Sequence, residues 1–284
     1  MREVCILHGN CQGETLQALL SASPEFVERY AVEYYVNFTR QAIPPSNLSR
    51  CALFLHQHLG ENWGAVSSAA LRGALPATAR SVCFPNILFK GYWPFWSNRP
   101  GFDYADSFLD ALLERGLNPA EALRVATHSR LDKAFDLPAL LAETFALERQ
   151  KEARSDIAYV DVIEAHFREE KLLNSINHPG RRLMFHVADE VLALLGMPPL
   201  GEEIRALCPS LYPEFELPIH PQVAAQHGLA FGREGTRFNV YGQALTYAGY
   251  AGLYLACKQA GRSDFVNFLQ GGGNEHERTE KQLS

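Results

Sequence analysis

The sequence predicts an α/β fold built on a small parallel sheet, followed by a largely helical part. Three observations carry this. Apolar runs alternate with helical stretches through the first ninety residues, the pattern of βα units. The run Val4-Cys5-Ile6-Leu7-His8-Gly9 passes through Asn10-Cys11-Gln12 straight into a helical stretch, as the first strand and helix of an open sheet do. Beyond residue 103 the pattern is almost entirely helical.

The elements follow in order. Residues 3–9 form strand one and 12–22 a helix. Tyr30–Phe38, rich in Val and Tyr, forms strand two. Pro44-Pro45-Ser46-Asn47 breaks the chain before strand three, Cys51–Gln57. A helix over 64–74 leads to strand four, Arg80–Phe84, which stops at Pro85-Asn86. Parallel strands bring their carboxyl ends to one edge. The polar groups of His8 to Gln12, Asn37, His56 to His58 and Asn86 therefore converge there.

Lys90 to Gly101 is an aromatic connector containing Tyr92, Trp93, Phe95 and Trp96. It is either a loop packed down by its own rings or a wall of a ligand cleft. Helices are predicted over 104–115, 119–127, 138–153, 157–172 and 181–195. Asn118-Pro119-Ala120-Glu121 reads as a helix start and Gly196 as a stop. Tyr241–Ala260 is the last helix, and Gly271–Ser284 reads as a frayed tail. The domain expectation is an α/β subdomain over 1–95, a helical part over 96–270 and the tail.

Net charge is −6, which gives no electrostatic case for a nucleic-acid partner. No apolar run reaches the ~20 residues of a membrane span. Met1-Arg2-Glu3 runs straight into a strand, so no signal peptide is expected. The six cysteines lack a C-x-x-C pair or zinc spacing, so no metal is expected, and the setting expected is cytoplasmic.

Cys11 is the central chemical candidate. A thiol at a helix N-terminus near an imidazole can have its thiolate stabilised. The alternative is a small residue fitted to a tight turn. His8 lies three residues before it. His178 stands in Asn177-His178-Pro179, where the proline holds it extended, either as a base or as a cap. His220-Pro221 repeats that pattern, and His186 reads as solvated surface. Of His56, Gln57 and His58, one is expected to face the site. Asn86 is either an oxyanion donor or a turn residue. Lys90, Arg130, Arg181 and Arg182 are the cations that could meet phosphate.

The His8-Gly9-Asn10-Cys11-Gln12 run resembles the WcbI family of polysaccharide biosynthesis enzymes. So do Phe84-Pro85-Asn86 with Phe89-Lys90-Gly91-Tyr92 and Pro94, and Asn177-His178-Pro179 leading into a helix ended by Leu195-Gly196. The resemblance implies a cradle-shaped fold, a Rossmann- or SGNH-like sheet plan, and coenzyme A or acetyl-coenzyme A bound as co-substrate. It implies an acetyltransferase acting on a sugar or polysaccharide precursor, working alongside other polysaccharide-biosynthesis proteins. On the similarity to SGNH esterases, Cys11 takes the nucleophile position, Asn86 the oxyanion position and His178 that of the base, with His8 as a second proton carrier. Backbone N–H groups of Gly9 to Gln12 would help hold the oxyanion. The cofactor contacts expected are Gly9, Asn10, Gln12, Gln57, Lys90, Tyr92 and Arg130. Two positions depart from the esterase pattern: the nucleophile is Cys rather than Ser, and Ser175 stands where an orienting Asp would. The rival readings are an esterase or deacetylase and a non-catalytic sugar- or nucleotide-binding protein.

Overall fold

The structure is a computed structural model that describes residues 2–271. The expected tail lies, from residue 272 on, outside the described residues. The main elements are β1 (Glu3–Gly9), α1 (Cys11–Leu20), β2 (Tyr30–Val36), β3 (Cys51–His56), β4 (Arg80–Cys83), α2 (Ser107–Glu114), α3 (Pro119–His128), α4 (Leu137–Glu152), α5 (Val160–His166), α6 (Arg181–Leu194) and α7 (Tyr247–Gln259). Among the described residues no helix is long and apolar enough to cross a membrane.

The chain divides into two compact units. The first comprises Met1–Leu88, Phe145–Phe167 and Asn177–Leu211. The second comprises Phe89–Thr144, Arg168–Ile176 and Tyr212–Ser284. The expectation divides the chain once near residue 95, whereas these units interleave along it. Segments 145–167 and 177–211, read as part of the helical half, group with the α/β sheet instead. Hydrophobic stripes mark which residues are buried but not against which element, so the sequence does not disclose this interleaving.

In the first unit the four strands form a parallel sheet in the order β2-β1-β3-β4. Side chains alternate between its faces. On one face Ile6, Phe54, Ile43, Leu48, Cys51 and Leu71 form a closed apolar cluster. On the other lies α1, itself packed by α6. The approach of α1 to the sheet depends on two glycines. A Cβ at Gly13 would meet Leu7 at 2.8 Å and Tyr34 at 3.1 Å, and one at Gly9 would meet Phe84 at 2.8 Å.

That alternation decides where His8 goes. Gly9 and Leu7 face α1, so His8 shares the opposite face with Ile6. It is 1% exposed, and its Nε2 has no partner among the described residues. His8 lies in register with His56, which stacks on Phe54 and meets the Ser68 hydroxyl at 3.3 Å. Burial lowers the pKa of His8 to about 4, and burial likewise dominates a shift of His56 to about 4. In an unfolded chain both titrate near ~6.5. Between these values the unfolded chain binds protons that the folded one refuses, so stability falls as pH drops from about 6.5 towards 4. Unfolding free energies from urea denaturation at pH 7.5 and pH 5 should differ by roughly 1–2 kcal/mol for each histidine. His8→Leu should make the decline shallower by that amount; an unchanged decline would contradict the assignment.

The second unit holds α2, α3 and α7, with α3 packed against both α2 and α7. Its predicted helix start forms a complete capping box, Asn118 with Glu121. The predicted helix over 241–260 begins later, at Tyr247. A hairpin of Phe238–Val240 and Gln243–Leu245 precedes it. Its two-residue turn, Tyr241-Gly242, has positive φ at both positions, 50° and 85°. A hairpin of this kind needs that geometry, but tyrosine gives no sequence signal for it. The helix predicted over 157–172 is also shorter. α5 stops at His166, and Leu173–Ser175 is extended.

Candidate active site

The site lies at the carboxyl end of β1, within the first unit. Asn10 is the N-cap of α1 and its Oδ1 accepts from the Gln12 backbone N–H at 2.9 Å. Around it the predicted convergence of polar strand ends takes a definite form, a net of carboxamides. Gln57, at the end of β3, accepts through Oε1 from the Asn10 backbone N–H at 2.9 Å and from Asn37 Nδ2 at 3.1 Å. Its Nε2 donates to Asn10 Oδ1 and to the Pro85 carbonyl. Gln12 accepts from the Ile87 N–H at 3.0 Å and donates to the carbonyls of Ile87 and Asn177 at 2.7 and 2.9 Å. Tyr34 donates to the Asn10 carbonyl at 2.6 Å.

Backbone N–H groups cannot reverse, so they set the direction of each side-chain amide they meet. The Asn10 N–H fixes Gln57, the Gln12 N–H fixes Asn10, and the Ile87 N–H fixes Gln12. Asn10 then donates through Nδ2 to Asn86 Oδ1 at 3.1 Å. Asn86 is exposed and has its oxygen engaged, so its Nδ2 is the donor turned outward. The turn's own amides are less available than expected. Those of Asn10 and Gln12 donate inward, and that of Gly13 donates to the Asn10 carbonyl.

Cys11 is the first residue of α1 and is half-buried. Asn177 Nδ2 reaches its sulfur at 4.0 Å. His178 and Pro179 form a short extended segment packed against α1 and against α6, and His178 is half-buried. The expected stabilisation of the thiolate does not prevail. Burial raises the Cys11 pKa, outweighing the backbone N–H groups of Gln12 and Cys11, and Glu14 adds to the rise. The thiol is therefore protonated at neutral pH and needs a base. Alkylation of Cys11 by iodoacetamide, followed by peptide mass spectrometry, should rise with pH and reach its midpoint above the ~8.5 of a free thiol. A midpoint near neutrality would refute the burial argument.

The remaining candidates separate clearly. His8 is not brought to the thiol, for its side chain leaves on the opposite sheet face. Of the strand-three trio, Gln57 enters the net, while His56 is buried on the His8 face and His58 is exposed. Lys90, Tyr92 and Arg130 belong to the second unit. Tyr92 is core there, 0% exposed, its hydroxyl bonded to the Glu170 carbonyl and the Leu172 N–H. Arg130 is exposed and doubly bonded to Asp132. Lys90 is half-buried, and desolvation lowers its pKa. Arg181 donates to the carbonyls of Cys208 and Arg205. His186 is half-buried and bonds the Ala158 carbonyl at 2.6 Å. His220 caps the helix at Pro221 and meets the Ala126 carbonyl. Asn177 was not singled out from the sequence, although it stands beside His178 in the same tripeptide.

The family profile described as polysaccharide biosynthesis enzyme WcbI matches residues 4–200. The chain belongs to the WcbI family. The match runs from β1 beyond the end of α6, so it spans the Cys11 turn, Gln57, Asn86 and His178. No curated protein matches the chain. A solved structure described as WcbI, a novel polysaccharide biosynthesis enzyme, is similar over 98% of this chain and 96% of its own, with a TM-score of 0.77 at 16% identity. It is described as the native protein without a disulfide bond between coenzyme A and one of its cysteines. At that identity the likeness establishes the WcbI fold.

Proposed function

We propose that the chain is a coenzyme A-dependent O-acyltransferase that moves an acyl group, acetyl in the simplest case, onto a hydroxyl of a sugar or polysaccharide precursor. The observation that carries this is the Cys11 thiol at the start of α1, in a turn braced by a carboxamide net, with the His178 segment packed against the same helix. Membership of a polysaccharide biosynthesis family supports the sugar. The description of the similar structure, which links coenzyme A with a cysteine, supports the donor. The SGNH-like plan, with a nucleophile after strand one, an Asn after a later strand and a late His-Pro, agrees with the same roles.

In the proposed reaction His178 takes the Cys11 proton, and Sγ attacks the thioester carbonyl. The bond from carbonyl carbon to Cys11 sulfur forms, and the bond to coenzyme A sulfur breaks. The proton passes from His178 to the departing thiolate. The sugar hydroxyl then attacks the acyl-cysteine, giving its proton to His178, which returns it to Cys11. Asn86 Nδ2 is the donor suited to the tetrahedral oxyanion in both steps.

Thermal denaturation with coenzyme A, acetyl-coenzyme A and nucleotide sugars tests the donor. Coenzyme A at a hundredfold its dissociation constant should add about 2.7 kcal/mol, a rise in Tm of roughly 5–8 °C. No shift with either form of coenzyme A would defeat the proposal. Release of coenzyme A with water as the acceptor, unaffected by sugar, would make it a hydrolase.

A further inference from the structure

Within the second unit, Trp96-Ser97 pairs antiparallel with Ala105-Asp106, placing Trp96 directly opposite Asp106. Directly opposed residues in such a ladder put their side chains on the same face. Beside them is a hollow of about 30 Å³, also lined by Trp93, Tyr104, Tyr247 and Tyr250. At ~10–15 Å³ per oxygen this is room for about two or three oxygen atoms. Tyr247 and Tyr250 are 7% and 4% exposed, and neither hydroxyl has a hydrogen-bond partner among the described residues. Asp106 lines the same hollow as both phenols, and burial, then the Asp106 charge, hold them well above their usual range. Its Oδ1 caps α2 through the Phe108 and Leu109 N–H groups. Tyr104 is held at φ 54°, a conformation uncommon for a bulky residue and concentrated at ligand clamps.

Two orphaned buried hydroxyls are costly unless something completes them. The missing partner must be small, and must both accept and donate hydrogen bonds. It must also sit beside the half-buried rings of Trp96 and Tyr104, which line the same hollow. A carbohydrate hydroxyl meets all three conditions, because a pyranose also offers an apolar face to an aromatic ring. We propose that this hollow is a saccharide subsite. One sugar hydroxyl enters between Tyr247, Tyr250 and Asp106, and the sugar ring rests on Trp96 and Tyr104 at the mouth. The aromatic connector then forms a binding wall at Trp96, while Trp93 and Tyr92 remain core.

The proposal stands on binding alone and does not need the acyl-transfer reading. Its test uses the full chain, titrated with methyl glycosides of mannose, galactose, glucose and N-acetylglucosamine. Binding is followed by saturation-transfer NMR and tryptophan fluorescence. At least one glycoside should bind saturably. Tyr247→Phe with Tyr250→Phe should weaken it at least ~10-fold, with Tm unchanged or raised, because both rings stay and only orphaned hydroxyls go. The proposal is overturned if no glycoside saturates, if the double variant binds equally well, or if its Tm falls as though the hydroxyls were bonded within the fold.

Discussion

Replacing Cys11 with serine should reduce acetyl transfer from acetyl-coenzyme A to a sugar acceptor by about 10³-fold or more, with little change in coenzyme A affinity. The bonds that join Asn10, Gln12 and Gln57 run between carboxamide and backbone groups, so the swap leaves them in place. The loss is chemical, since a hydroxyl in the same half-buried place ionises far less readily than a thiol already held above its usual range. Single-turnover experiments should show an acyl-enzyme on the wild-type protein, mapped to Cys11 by mass spectrometry, and none on Cys11→Ala. If Cys11→Ser keeps more than about a tenth of the rate, covalent catalysis is wrong. The sugar hydroxyl would then attack the thioester directly, with the cysteine lining the site.

The largest stability effect should come from Gln12. This side chain is 1% exposed and bonds three backbone groups, the N–H and carbonyl of Ile87 and the carbonyl of Asn177. Gln12→Leu keeps much of the volume but leaves all three without their partner. At ~1–3 kcal/mol for a stranded buried group, a loss of roughly 3–5 kcal/mol is expected in urea denaturation. Gln12→Glu keeps an acceptor for the Ile87 N–H but turns a buried carboxylate oxygen on the two carbonyls, and should cost at least as much. A Gln12→Leu variant within about 1 kcal/mol of wild type would mean that this amide does not brace the turn.

The strand-to-helix turn and the four-strand sheet were legible because each rests on local pattern: apolar runs, breakers and the glycines that let α1 approach. The convergence of polar strand ends was legible too, from parallel topology alone. Which polar groups face inward does not follow from topology, yet one clue is present in the sequence. Val4, Ile6 and His8 alternate with Cys5, Leu7 and Gly9. The glycine must lie under the helix, which sends His8 to the other face. The thiol's acidity was not legible, because a helix N-terminus lowers a pKa while burial raises it, and only coordinates reveal how much solvent remains. Asn177 and the Tyr241-Gly242 hairpin were missed for want of a local signal. The position of segments 145–167 and 177–211 depends on long-range packing that periodicity does not carry.

The amide net also constrains how this protein can vary. Asn10, Gln12 and Gln57 are each oriented by a fixed backbone N–H, and Asn86 takes its polarity from Asn10. A change at one position strands groups belonging to another, so paired substitutions should cost less than the sum of the single ones. Such residues are epistatic. Descendants of this turn can drift only if several of them are exchanged together, and a graft into another scaffold would have to carry the whole set.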